Sequence, residues 1–427
     1  MNISARISQI SDSPTLAMGA KAREMKQAGL NVISMSIGEP DFPTPAHVKQ
    51  AVKDAVDADM SHYGAIPGII GLRRAAAKYM SGFGLGDERI SGLGETTNPL
   101  TPNPLTRYEA EDIIVSVGAK QALCNAIETI VGDGDEVILP TPCWGSYAEM
   151  VKLSGGVPVE VHTAYSDDFL LTPKALEEAI TPRTRLLVIC SPNNPTGSVY
   201  SAEDIRALAE ILLRHPNVAV LADEIYNQIC YSGTCATWAS QTDLLDRLVV
   251  VNGVSKVFAM TGYRIGWLAC KNKEFIRACT RMQGQQITCA TMVAQYAAQQ
   301  ALDGDLTCVK EMTDAFHRRR DLIVRLAKDI PGWKVREPKG TFYLFPDVTA
   351  LFGKHAPADS NYTKTHNSSL INSADELCEY LLLDSLVVCV SGSAFGEPSC
   401  MRLSYACSQQ QITEGMQRIR AAIEQLA

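Results

Sequence analysis

Seven short apolar runs recur through the middle of the chain: 113–117 (IIVSV), 136–140 (EVILP), 157–161 (VPVEV), 186–190 (LLVIC), 218–222 (VAVLA), 247–251 (RLVVV) and 265–269 (IGWLA). They are near-continuous and not alternating, so each predicts a strand covered on both faces. Helical spacing separates several of them, at 120–131, 145–154, 173–180 and 202–214. Strands and helices in this order predict an α/β unit with a mostly parallel sheet.

The flanks read differently. Residues 14–30 are expected to be helical, with Leu16, Ala20, Ala22, Met25 and Leu30 near one face. A short strand and a Gly/Pro-rich loop follow over 32–45, then helices over 45–60 and 68–82. Residues 286–329 predict a long helical region. Strands at 342–345, 386–391 and 401–405 then mix with helices at 374–384 and 409–425, an α+β pattern expected to form a second, smaller unit. Two stretches, 84–107 and 353–373, are polar excursions, and no internal repeat is visible.

Composition narrows the function. With 46% hydrophobic and 20% charged residues among 427, the chain is an ordinary globular one. A net charge of -8 argues against a nucleic-acid footprint. No apolar run approaches the ~18 residues of a membrane span. The start, MNISARISQISDSP, has no apolar signal core. Thirteen cysteines are scattered without a C-x-x-C pair, and Cys124, Cys190, Cys230, Cys270, Cys389 and Cys407 lie in apolar stretches. Free buried thiols, no metal centre and a cytoplasmic setting are expected.

Ligands of such sheets bind at the carboxyl ends of the strands. No G-x-G-x-x-G follows a strand there and no P-loop occurs. After the run at 247–251 come Ser255, Lys256 and, eight residues on, Arg264. A lysine can bond an aldehyde, and a hydroxyl with an arginine can hold a phosphate, although a lysine in a turn is more often simply solvated. Gly118, Ala119 and Lys120 open a helix, where free amides suit an anion or merely turn the chain. A cation is disfavoured there unless an acidic group is near, so Lys120 points to an acidic ligand or a neighbouring Glu.

Four other strand ends carry candidates. Trp144 could stack on a flat ring or fill the core. Asn194, in SPNNPTG, offers an amide or an Asx turn. Asp223 ends the very apolar VAVLAD, where an unpaired carboxylate is costly, and Tyr226 can reach the same side. Arg402 could receive a carboxylate bidentately.

Together the stretches SIGEPDFPTP, YGAIPGIIGLR, VGAKQAL, SPNNPTG, DEIY, SKVFAMTGYRIGW and MRLSYA resemble the class I pyridoxal-phosphate-dependent aminotransferases, in the prokaryotic-type aspartate aminotransferase subgroup. The resemblance runs from about Ile7 to the carboxyl terminus, broken only by the two excursions. It implies the fold-type I architecture, with 50–310 as the large cofactor-binding domain and 1–49 with 311–427 as the small one. It implies pyridoxal 5'-phosphate as cofactor, and transfer between an L-amino acid, aspartate first, and 2-oxoglutarate by a ping-pong mechanism. Residue by residue, Lys256 would bond the cofactor and shuttle the proton. Asp223 would face the ring nitrogen, Asn194 and Tyr226 the phenolic oxygen, and Trp144 the ring face. Gly118, Ala119, Lys120, Ser255 and Arg264 would hold the phosphate, with Tyr63 reaching across a homodimer. Arg402, Asn194, Trp144 and the Gly38 backbone would take the substrate near its α-carboxylate; Lys120, Ser13 and Thr15 would take the distal one.

There are departures. Gly253 stands where many members have a second phosphate-binding serine, as it does in the prokaryotic-type subgroup. The distal-carboxylate arginine of animal-type enzymes has no counterpart beyond Arg281 nearby, and Ser11 replaces a usual lysine. Other specificities (prephenate, aromatic, alanine) or a lyase on the same scaffold remain alternatives. A DNA-binding regulator is not expected, because too little chain precedes the first helix. A plain structural protein would be colourless.

Overall fold

The structure, a computed structural model, describes the chain apart from residues 5, 12, 13, 83–106 and 234 and the side chains of 14–17 and 82. All of the expected excursion at 84–107 except Arg107 therefore lies outside the described residues. The chain begins with α1 (Pro14–Gln27), β1 (Ile33–Ser34), α2 (Ala46–Asp57) and α3 (Ile70–Gly82). Strand–helix alternation follows: β2 (Ile113–Val117), α4 (Gly118–Ile130), β3 (Glu136–Thr141), α5 (Ser146–Leu153) and β4 (Val157–His162). It continues with α6 (Pro173–Ala179), β5 (Thr184–Cys190), α7 (Ala202–Arg214), β6 (Ala219–Asp223), β7 (Leu248–Gly253), α8 (Val254–Val257) and β8 (Ile265–Ala269).

All seven expected strands join one sheet, in the order β2-β8-β7-β6-β5-β3-β4. Only β8 is reversed, antiparallel to β2 and to β7. Alternate residues feed two cores: Leu221, Val249 and Val251 face one, Val220, Ala222 and Val250 the other. The first contains α4 and α5 through Leu123, Ala126, Tyr147 and Met150; the second contains α3 and α7 through Leu72, Ala76, Leu208 and Leu212. Burying each large apolar side chain contributes about 1.5–3 kcal/mol, which explains why runs such as LVVV stay in the middle of the sheet.

Three helices follow: α9 (Lys273–Gln286), α10 (Met292–Asp303) and α11 (Thr307–Lys328). The carboxyl-terminal part carries β9 (Tyr343–Leu344), β10 (Lys354–His355), α12 (Asn361–His366), β11 (Leu370–Ile371) and α13 (Ala374–Tyr380). It ends with β12 (Val387–Val388), β13 (Val390–Ser391), β14 (Met401–Ser404) and α14 (Gln409–Ile423). Strands β13, β14 and β9 form an antiparallel sheet, while β12 pairs in parallel with β1. The start of the chain is thereby bound to its end.

Several expectations need correction. Helix α1 stops at Gln27 because Gly29 turns left-handed (φ 85°), so Leu30 is not on its apolar face but 44% exposed. Strand β4 is an edge with alternating exposure, not a doubly covered strand. The region 286–329 is two helices, broken at Gly304, where a Cβ would lie 2.8 Å from the Gln300 carbonyl and 2.9 Å from His47. Helix α9 escaped notice because a core position is polar: buried Gln283 donates to the Ile66 and Val115 carbonyls at 2.8 and 2.9 Å. The excursion at 353–373 is ordered structure, β10, α12 and β11, with Tyr362 buried. The run at 386–391 divides between two sheets. Cys230 is not a free thiol but is disulfide-bonded to Cys235, their Cα atoms 6.1 Å apart; among the described residues, eleven cysteines are free. Among the described residues, no helix is long and apolar enough to cross a membrane.

The reversed strand is fastened to β2 by charge. Asp112, immediately before β2, has no solvent exposure and binds Lys271 and Lys273, just after β8, at 2.8 and 2.6 Å. Burial opposes its ionisation, but the two ammonium groups and the Glu109 amide prevail and hold its pKa below the ordinary value. Its contribution is therefore complete above the usual aspartate pKa and fades as pH falls through the lowered one. Asp112→Ala is expected to lower unfolding stability at pH 7 by about 1.5 kcal/mol, since it removes charge-assisted bonds to two lysines that solvent still reaches, as read by urea denaturation.

Candidate active site

The carboxyl ends of β2, β3, β5, β6 and β7 meet the loops that carry the candidate side chains. Strand β2 runs straight into α4 at Gly118, whose φ is 77°. A Cβ there would sit 2.5 Å from Nη2 of Arg264, and one on Gly266 would run into the Ala119 amide. The arginine thus lies against the first turn of α4, where free amides and the helix dipole already favour an anion. Arg264 is left-handed (φ 57°), and its Nη1 donates to the Thr261 carbonyl at 2.8 Å. Ser255 is buried in the one-turn helix α8.

Lys256 follows Ser255 and points inward. Its Nζ donates to the Gly38 carbonyl and lies 5.8 Å from the Tyr226 ring centre. Burial pulls its pKa down to about 8, partly offset by Glu39 and reinforced by Arg402 and Arg264. Strand β6 delivers Asp223, 4% exposed, to the same wall. Its Oδ2 accepts from the Tyr147 hydroxyl at 2.7 Å and its Oδ1 from the Ile225 amide at 3.2 Å. Burial raises its pKa, while those two donors and Lys256 act the other way.

Arg402, 2% exposed on β14, closes the site from the other side. Its Nη1 donates to Asn194 Oδ1 and its Nη2 to the Ser36 carbonyl, both at 2.8 Å. The guanidinium lies 4.5 Å from the Tyr343 ring centre and 4.8 Å from that of Phe395. Among the described residues, its buried Nε has no hydrogen-bond partner. Burial lowers its pKa, and the groups that oppose this are phenols, Tyr343 and Tyr226, not a carboxylate. A buried cation so placed is a receptor for an anion.

The chain matches the family model "Aminotransferase class I and II" over residues 31–419. It is 40% identical to the aspartate aminotransferase of Rhizobium meliloti over 425 residues, 99% of this chain and 96% of that protein. It is 37% identical to the aspartate/prephenate aminotransferase of Cereibacter sphaeroides, covering 98% of each. The crystal structure of a Rhizobium meliloti aspartate aminotransferase superposes with a TM-score of 0.89 at 40% identity, covering 100% of both chains. That of Thermus thermophilus with maleate superposes at 0.84 and 34% identity, covering 99% of this chain and 100% of that one. This chain belongs to the class I and II aminotransferases.

In this aminotransferase, Lys256, Asp223, Tyr226, Asn194 and Arg402 converge, and Arg264 and Gly118 meet beside Ala119, with Ser255 next to Lys256 in the chain. Lys120 Nζ lies 4.7 Å from the Trp144 ring centre and 3.3 Å from Ser146 Oγ, its pKa lowered mainly by burial. The two asparagines of SPNNPTG divide the work: Asn193 braces the Pro142 carbonyl at 3.0 Å, and Asn194 takes Arg402. Gly253 cannot be serine without a Cβ 2.9 Å from the Gly266 Cα. Tyr63 is 90% exposed on this single chain, and Arg281 sits exposed on α9. Ser13 and the side chain of Thr15 lie outside the described residues; Ser11 donates its amide to Glu149 on α5 at 3.0 Å.

Two residues went unnoticed in the sequence. Tyr147 holds Asp223, and the Tyr343 hydroxyl lies 3.0 Å from that of Tyr226. Tyr147 had a local signal, being one helical turn beyond Trp144, against which it packs edge-on at 5.4 Å. Tyr343 had none beyond its place in a strand.

The environment of Lys256 has a direct readout. With no ligand bound, labelling of Lys256 by trinitrobenzenesulfonate, located by peptide mapping, is expected to be half-maximal near pH 8 and to level off about one to two pH units above. Ordinary lysines continue to gain reactivity towards about pH 10.4.

Proposed function

We propose that this aminotransferase binds pyridoxal 5'-phosphate at Lys256 and moves the amino group of L-aspartate to 2-oxoglutarate in two half-reactions. The observation that carries the reading is the convergence of a buried amine of lowered pKa, a buried carboxylate and a buried arginine without a carboxylate partner. The donor set fits the cofactor: one amine, one acid, two groups for a phenolic oxygen, and an arginine pressed on a glycine cradle that a Cβ would fill.

Bound there, the cofactor supplies an aldehyde that condenses with amines and a protonated ring that accepts electrons as a Cα proton leaves. Asp223 holds the proton on the ring nitrogen, since a nearby anion favours the charged form. Lys256 would act as general base towards the substrate Cα proton and as general acid towards the cofactor's former aldehyde carbon, which lies two bonds from that Cα across the shared nitrogen, a role suited to an amine with a pKa near 8. Asn194 and Tyr226 face the phenolic oxygen, with Tyr343 orienting the Tyr226 hydroxyl, and Trp144 covers the ring. Ser255, Arg264 and the amides from Gly118 to Lys120 hold the phosphate, completed by Tyr63 of a second subunit in a homodimer. Arg402, Asn194, Trp144 and the Gly38 backbone seat the α-carboxylate end, which fixes the bond to be broken.

Lys120 reads the distal carboxylate, aided by Ser13 and Thr15. Maleate, the dicarboxylate named with the Thermus thermophilus structure, supports a two-carboxylate ligand. Residues 50–310 form the cofactor-binding unit, and 1–49 with 311–427 the unit that brings Arg402; the enzyme works in the cytoplasm. Prephenate is a second acceptor to consider, because relatives from Petunia hybrida and Cereibacter sphaeroides carry that activity in their names.

Lys256→Ala is expected to abolish both the borohydride-trapped visible band and transamination; retained turnover would refute the assignment. Lys120→Ala should lower kcat/KM for aspartate roughly ten- to hundredfold, the worth of one charge-assisted bond, and leave alanine nearly unchanged. Equal losses with both donors, in single half-reactions, would remove the specificity reading.

A further inference from the structure

We propose that Tyr147 is a positioning residue whose hydroxyl holds the Asp223 carboxylate as an anion aimed at the cofactor's ring nitrogen; this rests on the cofactor reading above. The hydroxyl donates to Oδ2 at 2.7 Å while the Ile225 amide occupies Oδ1. An ionised carboxylate accepts about four hydrogen bonds, so both oxygens keep a lone pair for a further donor. Burial alone drives Asp223 towards its neutral form, and a neutral acid cannot stabilise a protonated ring. The titratable groups that bear on it are Tyr147 on α5, Cys190 on β5, Lys256 on α8 and the neighbouring Glu224, a buried carboxyl that repels it.

The hydroxyl is fixed in place as well as near. Tyr147 is 2% exposed, its amide donates to the Trp144 carbonyl at 3.0 Å, and the Trp144 ring meets it at 87°. It lines a small pocket with Cys143, Cys190 and Tyr200. Burial and the adjacent anion hold its own pKa well above the usual value, so it remains a donor. Cys190, opposite Asp223 in the sheet, donates its thiol to the Pro192 carbonyl and also lies within hydrogen-bond reach of the Tyr147 hydroxyl.

Tyr147→Phe removes one oxygen and keeps the ring. It is expected to weaken pyridoxal phosphate binding to the apoenzyme by about ten- to hundredfold, measured by cofactor fluorescence, with an unchanged thermal melt. With less positive charge in the ring, the pH midpoint of the visible band should rise. In an Asp223→Ala background the same substitution should change binding by less than about twofold, because the hydroxyl acts through that carboxylate. Binding by the Phe variant within twofold of the parent, or a full loss persisting without Asp223, would overturn the proposal alone. A parent enzyme that takes up no cofactor would overturn the cofactor reading, and this inference with it.

Discussion

A carboxylate stands at the end of a strand buried on both faces, and much of this molecule is arranged around that one acid. Asp223 closes β6, third from β2 in a seven-stranded sheet whose alternate residues are committed to two cores. Desolvation opposes its charge, by several kcal/mol for an unpaired ion. Its neighbours supply the compensation: a phenol, a backbone amide and the ammonium of Lys256. The apolar sheet raises the pKa of this acid, and the polar groups at its edge offset part of that rise.

The opposite charge is handled in the same way and with parts from distant stretches. Arg402 is buried between two aromatic rings and tied to Ser36 and Asn194. The parallel pairing of β1 with β12, and the Ser404 amide bonded to the Met35 carbonyl at 2.6 Å, carry Ser36 and Gly38 into the site. Lys256 then rests on the Gly38 carbonyl. The beginning, middle and end of the chain thus bring an acid, an arginine and an amine together.

Close approach of glycines makes the remaining wall. Gly118, Gly253 and Gly266 sit where a Cβ would strike Arg264, Gly266 and Ala119 respectively. The strand reversal at β8 brings Arg264 back to the first turn of α4, and the charged clamp at Asp112 fastens the far end of that reversal. The phosphate-type cradle and the antiparallel strand are in this sense a single feature.

The sequence by itself determined the seven sheet strands, the class of fold and the residue types at the strand ends, because those follow from local apolar patterning and from the cost of burying charge. It misjudged what depends on neighbours: the exposed edge at β4, the polar-faced helix α9, the ordered stretch at 353–373 and the Cys230–Cys235 bond. Only the tertiary structure decided which polar groups meet. Tyr147 and Asp223 are 76 residues apart in sequence, Tyr226 and Tyr343 117, and Asn194 and Arg402 208. A hydrogen bond acts over about 3 Å, and no local pattern encodes which distant residue will come that close.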